Sequence, residues 1–206
     1  MKTITVSLYA ALALMLWSAM VIAATSDPEQ LMRETTERIL AKLDASPALR
    51  DDRPGLIGLI EKEVFPLVDF PRASRLILGR HWPKAGEEQQ GRFVEEIKKL
   101  LACTYSTAFA NYRDQKVEFE KPRWSEDRSD VEIRTSITQA GSPPIPVSYR
   151  LRNSDNQWKL YDLTVEGISL VANYRATFAQ QLERQDLDAL IADLGQRSAK
   201  DCKTEG

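Results

Sequence analysis

Apolar positions recur at helical spacing through the first half of the chain and at alternating spacing through the second. Behind Asp27 and Pro28, the residues Leu31, Thr35, Ile39 and Leu43 form a narrow stripe that predicts a first helix running to about Leu43. A second helix is expected after Pro54, carrying Ile57, Ile60 and Val64 and ending before Pro66. The segment from Pro71 to Leu78 predicts a short third helix, with Pro71 in its first turn and Gly79 just past its end. A fourth and longest helix is predicted from Glu87 to Tyr112, where Phe93, Ile97, Leu100, Leu101, Tyr105, Phe109 and Tyr112 share one broad face.

Alternation then takes over. Strands are predicted from Lys116 to Lys121, Ser129 to Thr138, Ile145 to Arg152 and Gln157 to Val165, parted by turn-rich segments such as GSPP and NSDNQ. Val131, Ile133 and Ile137 oppose Asp130, Glu132 and Arg134, and Val147, Tyr149 and Leu151 oppose Ser148, Arg150 and Arg152. In the last strand Tyr161, Leu163 and Val165 alternate with Asp162, Thr164 and Glu166, until Gly167 breaks the pattern. With almost no loop, a helix is then predicted, capped by Ser169 and carrying Val171, Tyr174, Phe178 and Leu182 on one stripe. A final helix is expected from Leu187 to Leu194, stopping at Gly195, with a loose polar tail beyond. The order is that of an α+β fold: a curved antiparallel sheet of about four strands whose apolar face is covered by helices.

The amino end reads as a secretory signal peptide over residues 1–24. Lys2 precedes an apolar run from about Ile4 to Ala24, and Val21, Ala23 and Ala24 supply small residues before the polar SDPEQ. The alternative is an uncleaved anchor, since the run approaches the roughly 20 residues a span needs. Cleavage leaves residues 25–206 as one domain of ordinary size, delivered to an exported compartment. The full chain carries a formal charge of −2, and loss of Lys2 leaves 27 basic against 30 acidic side chains. That balance excludes a nucleic-acid binder, which needs a basic footprint. The small cluster at Arg72, Arg75, Arg80 and Lys84 is either a solvated face or a headgroup or partner site.

Cys103 and Cys202 are the two cysteines. In an exported protein they could form one disulfide tying the tail to the long helix; alternatively Cys103 is a small core residue and Cys202 is free. The single histidine, His81, stands at a helix exit and reads as structural. No nucleophile elbow, metal-type histidine pair or phosphate loop is present. An acid–base pair made from Asp162 and Tyr161 is the one catalytic alternative; otherwise Asp162 pairs with Arg150, Arg152 or a helix end. A scaffold with a solid apolar core is a third reading.

Several blocks resemble the MlaC, or toluene-tolerance, family of periplasmic phospholipid-binding proteins. They are FPLVDFPRASRLILGRHW from Phe65 to Trp82, the long helix and turn from Phe93 to Lys116, PIPVSYRLR from Pro144 to Arg152, and the segment from Trp158 to Arg175 with its W-K-x-Y-D and E-G-I-S-L-V-x-N-Y-R features. Ser148 stands where the family commonly has an acidic residue. The resemblance implies a cone-like fold with an apolar cavity and a non-enzymatic role without a cofactor. It implies a periplasmic carrier that holds glycerophospholipid tails inside and the headgroup outside. Its implied partners are an outer-membrane lipoprotein complex and an inner-membrane ABC transporter with a ring-forming substrate-binding component. A related cargo such as a hopanoid is an alternative. Two long acyl chains gain on the order of 20 kcal/mol on leaving water, so transfer is expected at docked partners rather than by free release. The expected tail-lining residues are Leu76, Tyr105, Phe109, Ile133, Ile137, Val147, Tyr149, Leu151, Leu163, Val165, Ile168, Val171 and Tyr174. Ile168 leads this set, because the matching family position faces lipid.

Overall fold

The structure, a computed structural model, describes residues 27–203. The leader expected over residues 1–24 lies outside the described residues. Four helices come first: α1 (Pro28–Ala45), α2 (Arg53–Glu63), α3 (Phe70–Leu78) and α4 (Glu87–Ala110). Aspartates start the first three, since Asp27, Asp52 and Asp69 each accept a backbone N–H of the first turn and proline follows within two residues. Helix α3 ends at Gly79, whose φ of 52° suits a residue without a Cβ. A 3-10 segment, Gly79–Lys84, then carries His81, to which Arg80 Nε donates at 3.3 Å.

The sheet has six antiparallel strands rather than four: β1 (Lys116–Phe119), β2 (Arg123–Trp124), β3 (Asp130–Thr138), β4 (Ile145–Ser154), β5 (Gln157–Val165) and β6 (Ile168–Ser169). Both additions are two residues long, too short for alternation to be visible. β1 and β2 lie end to end along β3, separated by a stretch containing Pro122, which has no N–H to give a ladder. Two tight hairpins fix the register. Asp155 and Asn156 turn β4 into β5, and Glu166 and Gly167 turn β5 into β6, all four with positive φ as type I′ turns require. The expected direct passage from strand to helix is therefore corrected: the chain reverses at Glu166–Gly167 before α5 (Leu170–Gln181) begins.

A bulge between Arg150 and Leu151 changes the facing of β5. Leu151 opposes Leu160, while Arg150 opposes Asp162, so Tyr161 is the extra residue. Tyr161 does not share a face with Leu163 and Val165, as strict alternation predicted. It stands with Arg150 and Asp162 in a cleft on the outer side of the sheet. Asp162, only 7% exposed, accepts from Ser169 Oγ at 2.7 Å and from the Val171 N–H at 3.1 Å, while Ser169 Oγ accepts from Ala172 N–H. Two side chains thus hold the first turn of α5 against β5.

The last helix, α6 (Leu187–Lys203), runs nine residues beyond its predicted end. Gly195 does not stop it. A Cβ there would meet Glu96 of α4 at 3.3 Å, so this glycine permits close approach of α6 to α4. Leu190, Ile191 and Leu194 pack with Phe93, Ile97 and Leu100, Arg92 pairs with Asp188, and Cys103 is bonded to Cys202. The tail expected to be loose is thereby pinned.

Packing divides into three clusters. One joins α3, α4, α5 and α6 around Phe93, Phe178 and Leu190. A second sets Met32 of α1 against Val131, Ile133, Leu151 and Trp158 of the sheet. The third joins α1 and α2 through Ile39, Leu43, Leu56 and Leu59, with Phe109 of α4 against them.

Two tests follow from this packing. Reduction, or a Cys103→Ser, Cys202→Ser double variant, should lower unfolding stability in urea by about 2–4 kcal/mol, because the bond closes a long loop in the unfolded chain. Asp162→Ala should cost about 1–3 kcal/mol in the same assay by leaving the Val171 N–H without its acceptor.

Candidate apolar ligand site

One face of the sheet grades from filled to open. Near the β4–β5 turn, Val131, Ile133 and Leu151 are buried beneath α1. Towards the opposite end, Ile137, Tyr149, Leu163 and Val165 lie on the same face but are only half-buried. Register carries this face across the strands: Val117 opposes Ile137, Ile137 opposes Ile145, Val147 opposes Val165, and Val165 opposes Ile168. Ile145 and Ile168 close the row at 42% and 61% exposed. Large aliphatic side chains exposed together at one end of an otherwise buried face mark a binding surface better than scattered ones would.

The predicted lining residues separate into three groups. Ile133 and Leu151 are packed core under Met32, Tyr174 belongs to the helical cluster, and Val147 is buried beside Thr135, whose Oγ1 donates to its carbonyl at 3.2 Å. Tyr105, Phe109, Ile137, Tyr149, Leu163 and Val165 are half-buried. Of these, Tyr105, Ile137, Leu163 and Val165 belong to none of the three clusters. Leu76 and Val171 instead line the outer cleft beside Arg150 and Tyr161. Ile168, on the short edge strand β6, shares the face of Val165 and is exposed there at the rim of the sheet.

Polar atoms near this face lie in pairs. The Tyr105 and Tyr174 hydroxyls are neighbours between α4 and α5, and the Tyr149 hydroxyl lies near Thr135. Burial pushes all three phenols above their ordinary range, so they stay neutral at physiological pH. Such a surface can hold apolar chains by area and offers no acid, base or nucleophile to act on them. Asp162, the one catalytic alternative, is occupied as an acceptor at the start of α5. Among the described residues no group of three or more metal-ligating side chains converges, and no helix is long and apolar enough to cross a membrane.

Sequence reasoning missed Ile145 and Val117. Both carried a readable signal, since Ile145 is in phase with Val147 and Tyr149, and Val117 with Phe119. For the outer cleft the signal was confined to Arg72, within the basic cluster, and to the alternative pairing of Asp162 with Arg150, because its bulge and its far-apart arginines meet only in the fold.

Similarity to known proteins places the chain in a family. The MlaC family, described as MlaC protein, matches residues 33–196. An intermembrane phospholipid transport system binding protein MlaC from Haemophilus influenzae is 27% identical over 183 residues, covering 87% of this chain and 85% of its own. The toluene tolerance protein ttg2D of Pseudomonas putida is 27% identical over 172 residues, covering 82% and 80% respectively. A phospholipid-binding protein from Ralstonia solanacearum, solved in complex with a phospholipid, superposes with a TM-score of 0.80 at 30% identity, over 86% of this chain and all of that one. With its match spanning most of the chain, and with the same α+β architecture in a solved relative, this protein belongs to the MlaC family.

Proposed function

We propose that this protein is a periplasmic phospholipid carrier. It takes acyl chains against the open part of the inner sheet face, between Ile137, Tyr149, Leu163 and Val165 on the sheet and Tyr105 and Phe109 on α4, and leaves the headgroup outside past Ile145 and Ile168. The single observation that carries the reading is the phospholipid held by the Ralstonia solanacearum relative, whose whole length this chain matches. The graded face supports it from this chain's own residues. A solid scaffold would have joined Ile137, Leu163 and Val165 to one of the three clusters, because unfilled contact is lost dispersion energy. The bond between Cys103 and Cys202 favours an oxidising compartment, in keeping with the apolar leader of the sequence.

On this reading the chain works without a cofactor and is not an enzyme; the lipid is cargo. Its partners are an outer-membrane lipoprotein complex and the ring-forming component of an inner-membrane ABC transporter. Roughly 0.8 kcal/mol per methylene holds the tails inside, so cargo leaves only where a partner offers another apolar surface.

Solvent extraction of the purified protein, followed by mass spectrometry, tests the carrier. Near-stoichiometric two-tailed phospholipid is expected. A clean extract from a well-folded protein overturns the reading, and a hopanoid in its place changes the cargo. In the same assay Leu163→Glu should lower retained lipid at least about tenfold, because a carboxylate among acyl chains loses its hydration, while the half-buried position spares the melting transition.

A further inference from the structure

A second feature lies just beyond the rim. Between α3, the β4–β5 pair and α5 is a cleft of about 420 Å³, lined by Leu76, Arg150, Tyr161, Asp162 and Ser169 and by the Val171–Ala179 face of α5, which includes Arg175. Alanines at 172, 176 and 179 keep that side of α5 low and leave the cleft room.

The arginines around it form no ion pairs among the described residues. Arg150 and Arg72 both place their guanidiniums by the Tyr161 ring, at 5.4 and 4.8 Å from its centre. Arg175 lays its guanidinium on the backbone of Gly79, where a Cβ would meet its nitrogens at 3.0 and 3.1 Å. It is thus held at the carboxyl end of α3, whose partial negative charge orients it. None of the three forms an ion pair with a carboxylate of the described residues. Arg72 Nε is buried with no acceptor. The acidic groups nearby are otherwise placed. Asp162 serves the start of α5, Asp130 is bonded by Arg152 at 2.9 Å, and Glu132 lies opposite Arg150 in register without pairing to it. Three carboxylates thus lie near the three guanidiniums, but none forms an ion pair with Arg72, Arg150 or Arg175, so these arginines keep their donors for an anionic ligand.

We infer that this cleft is a seat for a phosphate group, with Arg150 and Arg175 as its donors and Arg72, stacked on Tyr161, beside them. Guanidinium forks match a phosphate's oxygens in pairs. Position favours a lipid phosphate as the occupant. Ser169 and Val171 of the cleft follow directly after Ile168 of the rim, so a phosphate leaving the inner face past Ile168 arrives at the cleft. In that form the inference rests on the carrier reading above; a soluble phosphate would use the same donors.

The test compares retention by the full chain of phosphatidylglycerol and of diacylglycerol with the same acyl chains, each loaded onto delipidated protein and measured by mass spectrometry. Wild type should prefer the phosphate-bearing lipid about tenfold, the scale of one charge-assisted hydrogen bond. The Arg150→Ala, Arg175→Ala double variant should lose that preference while keeping its diacylglycerol retention and its melting temperature. A parallel titration with inorganic phosphate, followed by calorimetry, separates the sources. Phosphate binding that disappears in the double variant, without any headgroup preference, assigns the seat to soluble phosphate. An unchanged lipid preference in the variant, or no response of wild type to either phosphate source, overturns the inference. If neither lipid is retained, the carrier reading fails on its own, and the inorganic phosphate titration still decides the cleft.

Discussion

Everything in this fold depends on how an antiparallel sheet with one apolar face is covered. Such a face must be buried, and the helices bury it unevenly. Helix α1 presses Met32 onto Val131, Ile133, Leu151 and Trp158 and makes ordinary core there. Across the same strands, Ile137, Leu163 and Val165 meet no comparable cover, and the row ends in exposed Ile145 and Ile168. The proposed carrier role rests on that uneven cover, since apolar chains contribute area and ask for no polar partner.

The junction of β5 with α5 makes the uneven cover mechanically stable. One inserted residue at Tyr161 rotates the outer half of β5 so that Tyr161 and Asp162 both face away from the apolar surface. Asp162 then reaches the first turn of α5, and the Glu166–Gly167 hairpin sets where that helix begins. The disulfide and the close contact at Gly195 fix α6 along α4. The helical side is thus a braced wall, with Tyr105 and Tyr174 neighbours across it. The same junction brings Arg72 and Arg150 to the Tyr161 ring, with Arg175 at Gly79 in the adjoining cleft, so that an apolar surface and a cluster of arginines adjoin along a few residues of chain.

Much of this was legible in the chain. Periodicity placed all six helices and the four long strands, since those elements are amphipathic and bury one side. Boundaries were missed where a residue served packing rather than chain direction. Gly195 reads as a helix end but marks where two helices touch, and Gly167 reads as a break before a helix but forms a hairpin. The facing of Tyr161 was unreadable, because alternation carries no sign of a bulge. Of the candidate lining residues, periodicity identified the inward positions but gave equal weight to Leu151 and Leu163. Only the placement of α1 separates one as core from the other as surface.

By itself, then, the sequence determined the α+β class, the apolar face of each long strand, the caps that start the helices and the membership of a lipid-associated family. These follow from local spacing and from motifs that are contiguous in the chain. Tertiary structure alone decided where the apolar face is filled and where it is open, which of two cysteine fates applies, and that arginines from β4 and α5 share one cleft, with Arg72 of α3 beside them at the Tyr161 ring. The physical reason is that burial, counterion pairing and empty volume are properties of elements brought together. No periodicity along one element records what its neighbour leaves uncovered.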